Sequence, residues 1–193
     1  TILTVSGDRN IVAAVDDKKD NAVIYNAQTG EKLGECSFGT KTMDLLENDI
    51  FTDPKDYIFQ LSQTGTWLAV SFDDGSVSFI NWKEPEKNFE IYSESEDIQF
   101  SGGFCGDIFA YAANSSSNSS FAAIDVEQAE YLMRADSDLP YIVQADNTGI
   151  YLANGSLLVK IDLSGDQTEV AYIQDASILN FSKSTSVNLA LLN

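Results

Sequence analysis

The 193-residue sequence contains no histidine, and its only arginines are Arg9 and Arg134. Without an imidazole, the residues present cannot form a Ser-His-Asp triad, a histidine-ligated zinc or iron site, or a histidine general base. The sequence also lacks a Walker-type phosphate loop and the glycine fingerprint of a dinucleotide-binding turn. These absences exclude the commonest catalytic chemistries from this stretch of chain, and we predict that it is not an enzyme.

Basic residues are scarce as a class. The chain has 11 lysines and arginines against 30 aspartates and glutamates, which gives a formal net charge of −19. Nucleic-acid binding needs cationic side chains against the phosphates, and an anionic membrane surface repels a chain of this charge. No apolar run approaches the roughly 20 residues of a membrane-spanning helix. We therefore expect no nucleic-acid partner and no membrane insertion by these residues.

Cysteine is limited to Cys36 and Cys105, too few for a disulfide framework. The pair Gly102-Gly103 predicts a turn that continues to Gly106 and holds Cys105, whereas Cys36 falls in a predicted outer strand of another repeat. Two separate reduced thiols suit a cytosolic protein, or an extracytoplasmic protein of a bacterium that makes few disulfides. Of these two settings, the prediction favours the extracytoplasmic or cell-surface bacterial one.

The stretch TWLAVSFDDGSVSFINWK, residues 66–83, shows the local pattern that the rest of the chain repeats. Side chains alternate in direction from Trp67 to Phe72, as is typical of a strand. The Asp-Gly at 74–75 predicts a tight hairpin, because glycine accepts positive φ and aspartate tolerates it. Trp67 and Trp82 could stack on a ligand, but at strand positions we expect them to pack between sheets.

A repeated marker, an apolar residue followed by asparagine or aspartate, occurs at Asn26, Asn81, Asp125 and Asp162. A turn and a fourth strand are predicted after each. The markers are separated by 55, 44 and 37 residues, and four-stranded propeller blades repeat about every 40–50 residues. Because a β-sandwich carries no internal sequence period, the marker favours a β-propeller, and a β-sandwich is the alternative.

We predict an all-β fold in which residues 1–193 form one portion of a β-propeller, with about four and a half blades of four antiparallel strands. The predicted blades are residues 2–38, 56–92, 98–135 and 141–173, followed by a half blade at 178–192, with an insertion at 39–55. Residues 43–51 are the one candidate for a short helix. A half blade leaves an open strand edge, so we expect a longer chain that completes the propeller or an association of two copies.

Two segments carry a resemblance to a known family. IVAAVDD…NAVIYNAQTGEKLGECSF, within residues 11–38, and WLAVSFDDGSVSFINWKE, residues 67–84, resemble tryptophan-aspartate (WD) repeats and their bacterial propeller relatives. The part NAQTGEKLGE, residues 26–35, is equally similar to quinoprotein-type propeller repeats. The paired Trp-Asp of a WD repeat and its opening Gly-His are both missing. The resemblance implies a β-propeller architecture.

The loops of such a propeller suggest where a partner binds. Loops between the second and third strands of a blade, and connections between blades, emerge on one face, and here they are rich in acidic residues. We call this the acidic loop face, and we predict a non-catalytic scaffold that presents it to a protein or glycan partner, as in the sensing part of a larger cell-envelope protein. The predicted binding residues are Asp16, Asp17, Asp20, Asp73, Asp74, Glu94, Glu96, Asp97, Asp136 and Asp138.

Several alternatives to this prediction stay open. The chain could be a fragment of a propeller enzyme whose catalytic residues lie in blades outside this sequence, or a structural spacer, and its charge could serve solubility alone. We predict no cofactor and no metal site, with calcium bridging of some carboxylates as the exception considered. The opposite face is predicted to carry Arg9, Lys32, Lys83, Lys87 and Lys183 among fewer acids, while Lys18, Lys19, Lys41 and Lys55 offset part of the acidic loop face.

Overall fold

The computed structural model describes residues 2–15, 20–39, 41, 58–72, 74–92, 99–115, 118–146, 148–162, 164, 166–172, 178–183 and 188–192. The candidate helix at residues 43–51 lies outside these ranges. Within them the only helical element is a 3₁₀ turn at Pro85–Lys87. No helix in the described ranges has the length and apolar character needed to cross a membrane.

The strands of the described residues form four separate four-stranded sheets and one two-stranded sheet, and strands adjacent in sequence pair antiparallel within each sheet. Blade 1 contains β1 (Leu3–Val5), β2 (Ile11–Val15), β3 (Asn21–Asn26) and β4 (Lys32–Ser37). Blade 2 contains β5 (Phe59–Leu61), β6 (Trp67–Ser71), β7 (Ser76–Asn81) and β8 (Phe89–Tyr92). Blade 3 contains β9 (Gln99–Cys105), β10 (Ile108–Asn114), β11 (Ser119–Asp125) and β12 (Glu130–Ser137). Blade 4 contains β13 (Tyr141–Asp146), β14 (Gly149–Asn154), β15 (Leu157–Ile161) and β16 (Gln167–Tyr172), and the two-stranded sheet contains β17 (Ile178–Lys183) and β18 (Asn188–Leu192).

Among the described residues, three hydrophobic cores lie between consecutive blades, and a fourth, smaller cluster on blade 4 contains Tyr151, Ala153 and Leu158. The central strand β6 is buried at all five positions, because both of its faces meet a neighbouring blade. Contributors from the two sides of each core are Ile24 and Leu68 in the first, Phe79 and Phe109 in the second, and Phe121 and Tyr141 in the third. Serial packing of small sheets is the propeller arrangement, so the predicted all-β partial propeller is confirmed and the sandwich alternative is wrong.

Both tryptophans pack between blades, as predicted. Trp67 is buried in the second core, where its ring meets Phe89 edge-on with 6.0 Å between centroids. Trp82 packs against the first core, and its indole N–H donates to the carbonyl oxygen of Gly65 at 2.7 Å. Neither ring is presented as a free platform for a ligand.

Hydrogen bonds also link the innermost strands of successive blades. These strands lie next to one another around the centre, so their polar groups can bond across each blade boundary. The bonds run from Leu61 N to Thr4 Oγ1 (3.4 Å), from Gln60 Nε2 to Gly102 O (2.8 Å), and from Val143 N to Ser101 Oγ (3.4 Å). Each boundary between the four blades therefore has a polar link in addition to its apolar core.

The repeated asparagine or aspartate has one structural role in all four blades. Its side-chain oxygen accepts two backbone N–H groups from the turn that leads to the outer strand, which is an Asx turn. The donors are Gln28 and Thr29 for Asn26, Lys83 and Glu84 for Asn81, Glu127 and Gln128 for Asp125, and Ser164 and Asp166 for Asp162, at 2.9–3.1 Å. The marker thus satisfies backbone donors that the turn would otherwise leave unpaired.

The predicted turn at residues 102–106 is wrong. Gly102 and Gly103 lie inside β9, and the turn follows at residues 106–107. The paired strand β10 approaches so closely that a Cβ on Gly102 would lie 2.5 Å from the carbonyl oxygen of Ala110. Glycine is therefore required here by the close approach of another backbone, and not by a change of chain direction.

The two cysteines are buried thiols in different places. Cys36 lies in β4 and contributes to the first core, whereas Cys105 ends β9 and contributes to the third. Burial, together with the nearby charge of Glu35, raises the pKa of the Cys36 thiol to about 12. Blades 2 and 3, with the second core between them, separate the first core from the third, in agreement with the prediction that the cysteines do not pair.

Candidate functional site

Four of the ten predicted acidic binding residues belong to the described part of the chain. Asp20 directly precedes β3, Asp74 lies in the turn between β6 and β7, Asp136 is in β12, and Asp138 follows that strand. These are second-to-third-strand or interblade positions, so antiparallel pairing places them at the same end of their blades. The other six, Asp16, Asp17, Asp73, Glu94, Glu96 and Asp97, lie outside the described residues.

The four described carboxylates are spread over three blades. Asp136 and Asp138 are exposed on blade 3, and Asp20 on blade 1 accepts a hydrogen bond from the side-chain amide of Asn21 at 2.8 Å. Across the described ranges, no group of three or more aspartate, glutamate, histidine or cysteine side chains is placed to hold a metal ion. The suggestion of calcium bridging therefore gains no support from these residues.

Asp74 belongs to a polar site in which several side chains surround one ammonium group. Its Oδ2 lies 3.0 Å from the ammonium nitrogen of Lys41, which follows blade 1 and reaches across to blade 2. The same nitrogen donates to Ser76 Oγ at 2.8 Å and to Glu90 Oε1. It also lies 5.4 Å from the ring centroid of Phe72 and 5.0 Å from that of Tyr92. We call the five surrounding residues, Phe72, Asp74, Ser76, Glu90 and Tyr92, the ammonium cage.

The ammonium cage is held in place by bonds within blade 2. Ser76 donates both its backbone N–H, at 3.1 Å, and its hydroxyl to Asp74 Oδ1. Ser78 donates to Glu90 Oε1 at 2.8 Å, and the Tyr92 hydroxyl donates to Glu90 Oε2. Cross-strand pairing places Ser76 opposite Tyr92 and Ser78 opposite Glu90. The two carboxylates are therefore oriented by blade 2 itself.

Charge pairing in the cage shifts three pKa values in the direction of the charged forms. Partial burial alone would lower the pKa of Lys41, but hydrogen bonds and attraction from Glu90 and Asp74 raise it above its usual value. Burial alone would raise the pKa of Asp74 and that of Glu90. Hydrogen bonds from Ser76 and Lys41 lower the pKa of Asp74 instead. Hydrogen bonds from Lys41, Tyr92 and Ser78 likewise lower the pKa of Glu90. The cage is thus ionised around neutral pH.

A cleft of about 550 Å³ adjoins the ammonium cage. It lies between the outer strand of blade 1 and the two outer strands of blade 2, and both Lys41 and Glu90 line it. Phe38 and Phe89 give it apolar walls, while Asn88 supplies a polar one. The combination of an apolar trough and a charged end is suited to an extended side chain with a cationic tip.

The sequence assigned Asp74 and Lys41 to the acidic loop face but did not identify their partners. Glu90 and Tyr92 occupy alternate positions of the strand FEIY, a pattern that does place their side chains on one face. The pairing of that face with Lys41, 49 residues earlier in sequence, depends on how blades 1 and 2 pack. No local pattern reports such a contact.

The opposite face carries acidic groups next to its lysines. Lys32 pairs with Glu35 at 2.7 Å. Lys87 pairs with Glu84 at 2.7 Å and lies 3.6 Å from Glu127. Because these basic residues are accompanied by carboxylates, the predicted difference in charge between the two faces stays a prediction.

Comparisons with solved structures identify the fold. The WD40 domain of coronin from Toxoplasma gondii superimposes with a TM-score of 0.57 at 13% identity, over 90% of this chain and 45% of that one. The structure of U3-55K and that of the RRP9 WD40 repeats each give a TM-score of 0.51 at 11% identity, over 91% of this chain and 52% of theirs. The chain therefore has a WD40-like β-propeller fold and spans about half the length of these neighbours.

Sequence comparison adds no family to this structural likeness. No protein-family model matches the chain. No curated protein matches it either. The resemblance to WD repeats is confirmed at the level of the fold, while the assignment to bacterial or quinoprotein-type propellers stays a prediction.

Proposed function

We propose that this chain is a non-catalytic interaction scaffold whose acidic loop face binds a basic segment of a protein partner. The observation that carries the proposal is the state of Asp136 and Asp138, which are exposed and take part in none of the ion pairs between described residues. Unpaired exposed carboxylates on a chain of net charge −19 attract cationic surfaces. The WD40-like fold supports the proposal, since it presents loops from several rigid blades on one face.

The chemistry of the face favours a protein over a glycan as the partner. Carboxylates gain most from lysine and arginine, which neutral sugars lack. As the setting we propose the sensing part of a larger bacterial cell-envelope protein. We put forward no second function, because nothing in the described residues favours the enzyme alternative.

The test uses a fluorescein-labelled decalysine peptide as a probe, with binding followed by fluorescence anisotropy at several salt concentrations. Two variants remove charge from the acidic loop face, D136N/D138N and E94Q/E96Q/D97N. We expect each to weaken binding about threefold to tenfold at low salt and to reduce the salt dependence. Circular dichroism of every variant establishes that the strands are retained.

The matched control is E130Q/E169Q, which removes two exposed charges from outer strands away from the acidic loop face. Glu130 begins the strand that contains Asp136, so the control differs mainly in position. We expect this variant to bind the peptide almost as well as the unaltered chain. If the control loses as much affinity per charge as D136N/D138N, the peptide responds to the net charge of the chain and not to the acidic loop face. The role of the charge is then solubility.

A further inference from the structure

The ammonium cage is a complete binding site for a primary ammonium group that comes from outside blade 2. Each of its five residues belongs to blade 2, whereas its occupant Lys41 follows the last strand of blade 1. Besides their contacts with Lys41, the carboxylates accept hydrogen bonds from Ser76, Ser78 and Tyr92, all of which belong to blade 2. Another ammonium group could therefore make the same contacts.

The chemistry of the ammonium cage is specific for a lysine-like cation. Two carboxylates and one hydroxyl accept the three N–H donors of an ammonium group. The rings of Phe72 and Tyr92 add cation–π attraction. A neutral acetylated lysine would lose both the charge and two of the three donors.

The ammonium cage is also open to solvent. The side chains of Lys41 and Glu90 are each 24% exposed, that of Asp74 is 47% exposed, and Tyr92 is 65% exposed. The adjoining cleft has room for the aliphatic part of an incoming side chain. Exchange of one ammonium group for another requires that Lys41 swing out, since the walls of the cage belong to the β6–β7 turn and to β8 of blade 2.

We propose that the ammonium cage is a lysine-recognition site of the acidic loop face, and that Lys41 fills it until a lysine of the partner replaces it. This inference rests on the proposed binding of a basic partner and names the side chain that is recognised. Lys41 is tethered beside the cage, so its effective concentration is in the millimolar range. A single free amine competes poorly with it, whereas a lysine-rich segment that also contacts Asp136 and Asp138 gains from several contacts at once.

The experiment measures binding of a single amine to the emptied cage. Nα-acetyl-lysine methylamide is titrated, at constant ionic strength, into the ¹⁵N-labelled chain and into K41A, and amide shifts of Ser76, Glu90 and Tyr92 are followed. We expect saturable shifts in K41A at least about tenfold larger than in the unaltered chain, and their loss in K41A/E90Q. The Nε-acetylated probe is expected to leave K41A unshifted.

Clear outcomes contradict the proposal. A folded K41A that shows no saturable shift overturns it, and so does an equal response to the Nε-acetylated probe. K41Q provides a second emptied cage if K41A does not fold, because glutamine is close to lysine in length but carries no charge. The decalysine experiment is independent of this one. If the emptied cage binds no amine while the acidic loop face still binds decalysine, this inference is refuted and the proposed function is not.

Discussion

The indole ring of Trp82 lies directly against the backbone of Gly34, across the boundary between blades 2 and 1. A Cβ built on Gly34 would lie 2.9 Å from Cε3 and 3.2 Å from Cζ3 of that ring. The indole N–H is bonded to Gly65 O, which fixes the ring in this position. The outer strand of blade 1 therefore needs a residue without a side chain at this one point.

The change G34A is expected to destabilise the chain by about 1–3 kcal/mol, the usual cost of forcing an extra methyl group into a packed site. Guanidinium denaturation followed by circular dichroism measures this. In a W82L background the ring is absent, and the same change should cost much less. Equal losses in the two backgrounds would show that the ring is not the cause.

A second prediction concerns the buried indole of Trp67, whose N–H donates to Glu127 Oε1 of blade 3 at 2.6 Å. E127A removes the acceptor and should cost about 1 kcal/mol, since water replaces an exposed carboxylate only in part. E127Q keeps an oxygen at that position and should cost less. Denaturation is followed by the fluorescence of Trp67 in a W82F background. Identical stabilities of E127A and E127Q would refute a role for this bond.

The Asx turns give a matched pair of variants. Asn26 and Asn81 make the same two bonds, but Asn81 is fully buried and Asn26 is partly exposed. Water can reach the N–H groups that N26A releases, whereas the bonds to Asn81 are partly buried and N81A also leaves a cavity where a fully buried side chain stood. We expect a loss of about 2–3 kcal/mol for N81A and about 1 kcal/mol for N26A, measured by denaturant unfolding. If N26A were more destabilising than N81A, burial would not determine how much each Asx turn contributes to stability.

The ion pairs of the ammonium cage should make stability depend on pH in a defined direction. The pKa values of Asp74 and Glu90 are lower in the folded chain than their ordinary values of 3.8 and 4.5. Their contribution is therefore complete at neutral pH, and it is lost as the pH falls below those ordinary values and through the lowered ones. The raised pKa of Lys41 keeps its charge in place to beyond 10.5.

The measurement compares K41M with the unaltered chain at two pH values. The variant should be about 1 kcal/mol less stable near neutral pH, and the difference should disappear in acid where both carboxylates are protonated. K32M, which removes the exposed partner of Glu35, serves as the control and should have a smaller effect. A difference for K41M that is the same in acid as at neutral pH would exclude the ion pairs as its origin.

The sequence predicts those features in which a residue type satisfies a requirement of the neighbouring backbone. The marker asparagines and aspartates are predictable because each bonds N–H groups two to four residues away, and the strands follow from alternation. The ammonium cage could not be predicted as a unit, because Lys41 and Glu90 meet only when two blades pack. The association of two copies or continuation into further blades, inferred from the 178–192 half blade, stays a prediction.

The turn predicted at the glycine pair in β9 is wrong for a related reason. Two adjacent glycines usually indicate a turn, since glycine tolerates unusual backbone angles. Here the need is spatial, because Gly102 pairs with Tyr111 of β10 where no side chain fits. A local pattern cannot distinguish glycine required by its own angles from glycine required by a neighbouring strand.

The two glycines therefore make a sharp final test. A Cβ on Gly102 would meet rigid backbone, 2.5 Å from Ala110 O and 3.0 Å from the Cα of Tyr111. A Cβ on Gly103 points to the other face of the sheet, where it would lie 3.1 Å from the side-chain oxygen of Gln60 and 3.4 Å from the Cβ and backbone nitrogen of Ala145, so that a small shift of these neighbours admits it. The same substitution thus faces two very different surroundings at neighbouring positions.

We expect G102A to destabilise the chain by about 2–3 kcal/mol, because strands β9 and β10 must separate locally to admit the methyl group. G103A should cost less than about 1 kcal/mol, since the loss of unfolded-state entropy on replacing glycine by alanine offsets part of the contact with Gln60. Guanidinium unfolding of both variants gives the comparison directly. If G103A is as destabilising as G102A, the close approach of β10 is not what requires glycine at position 102.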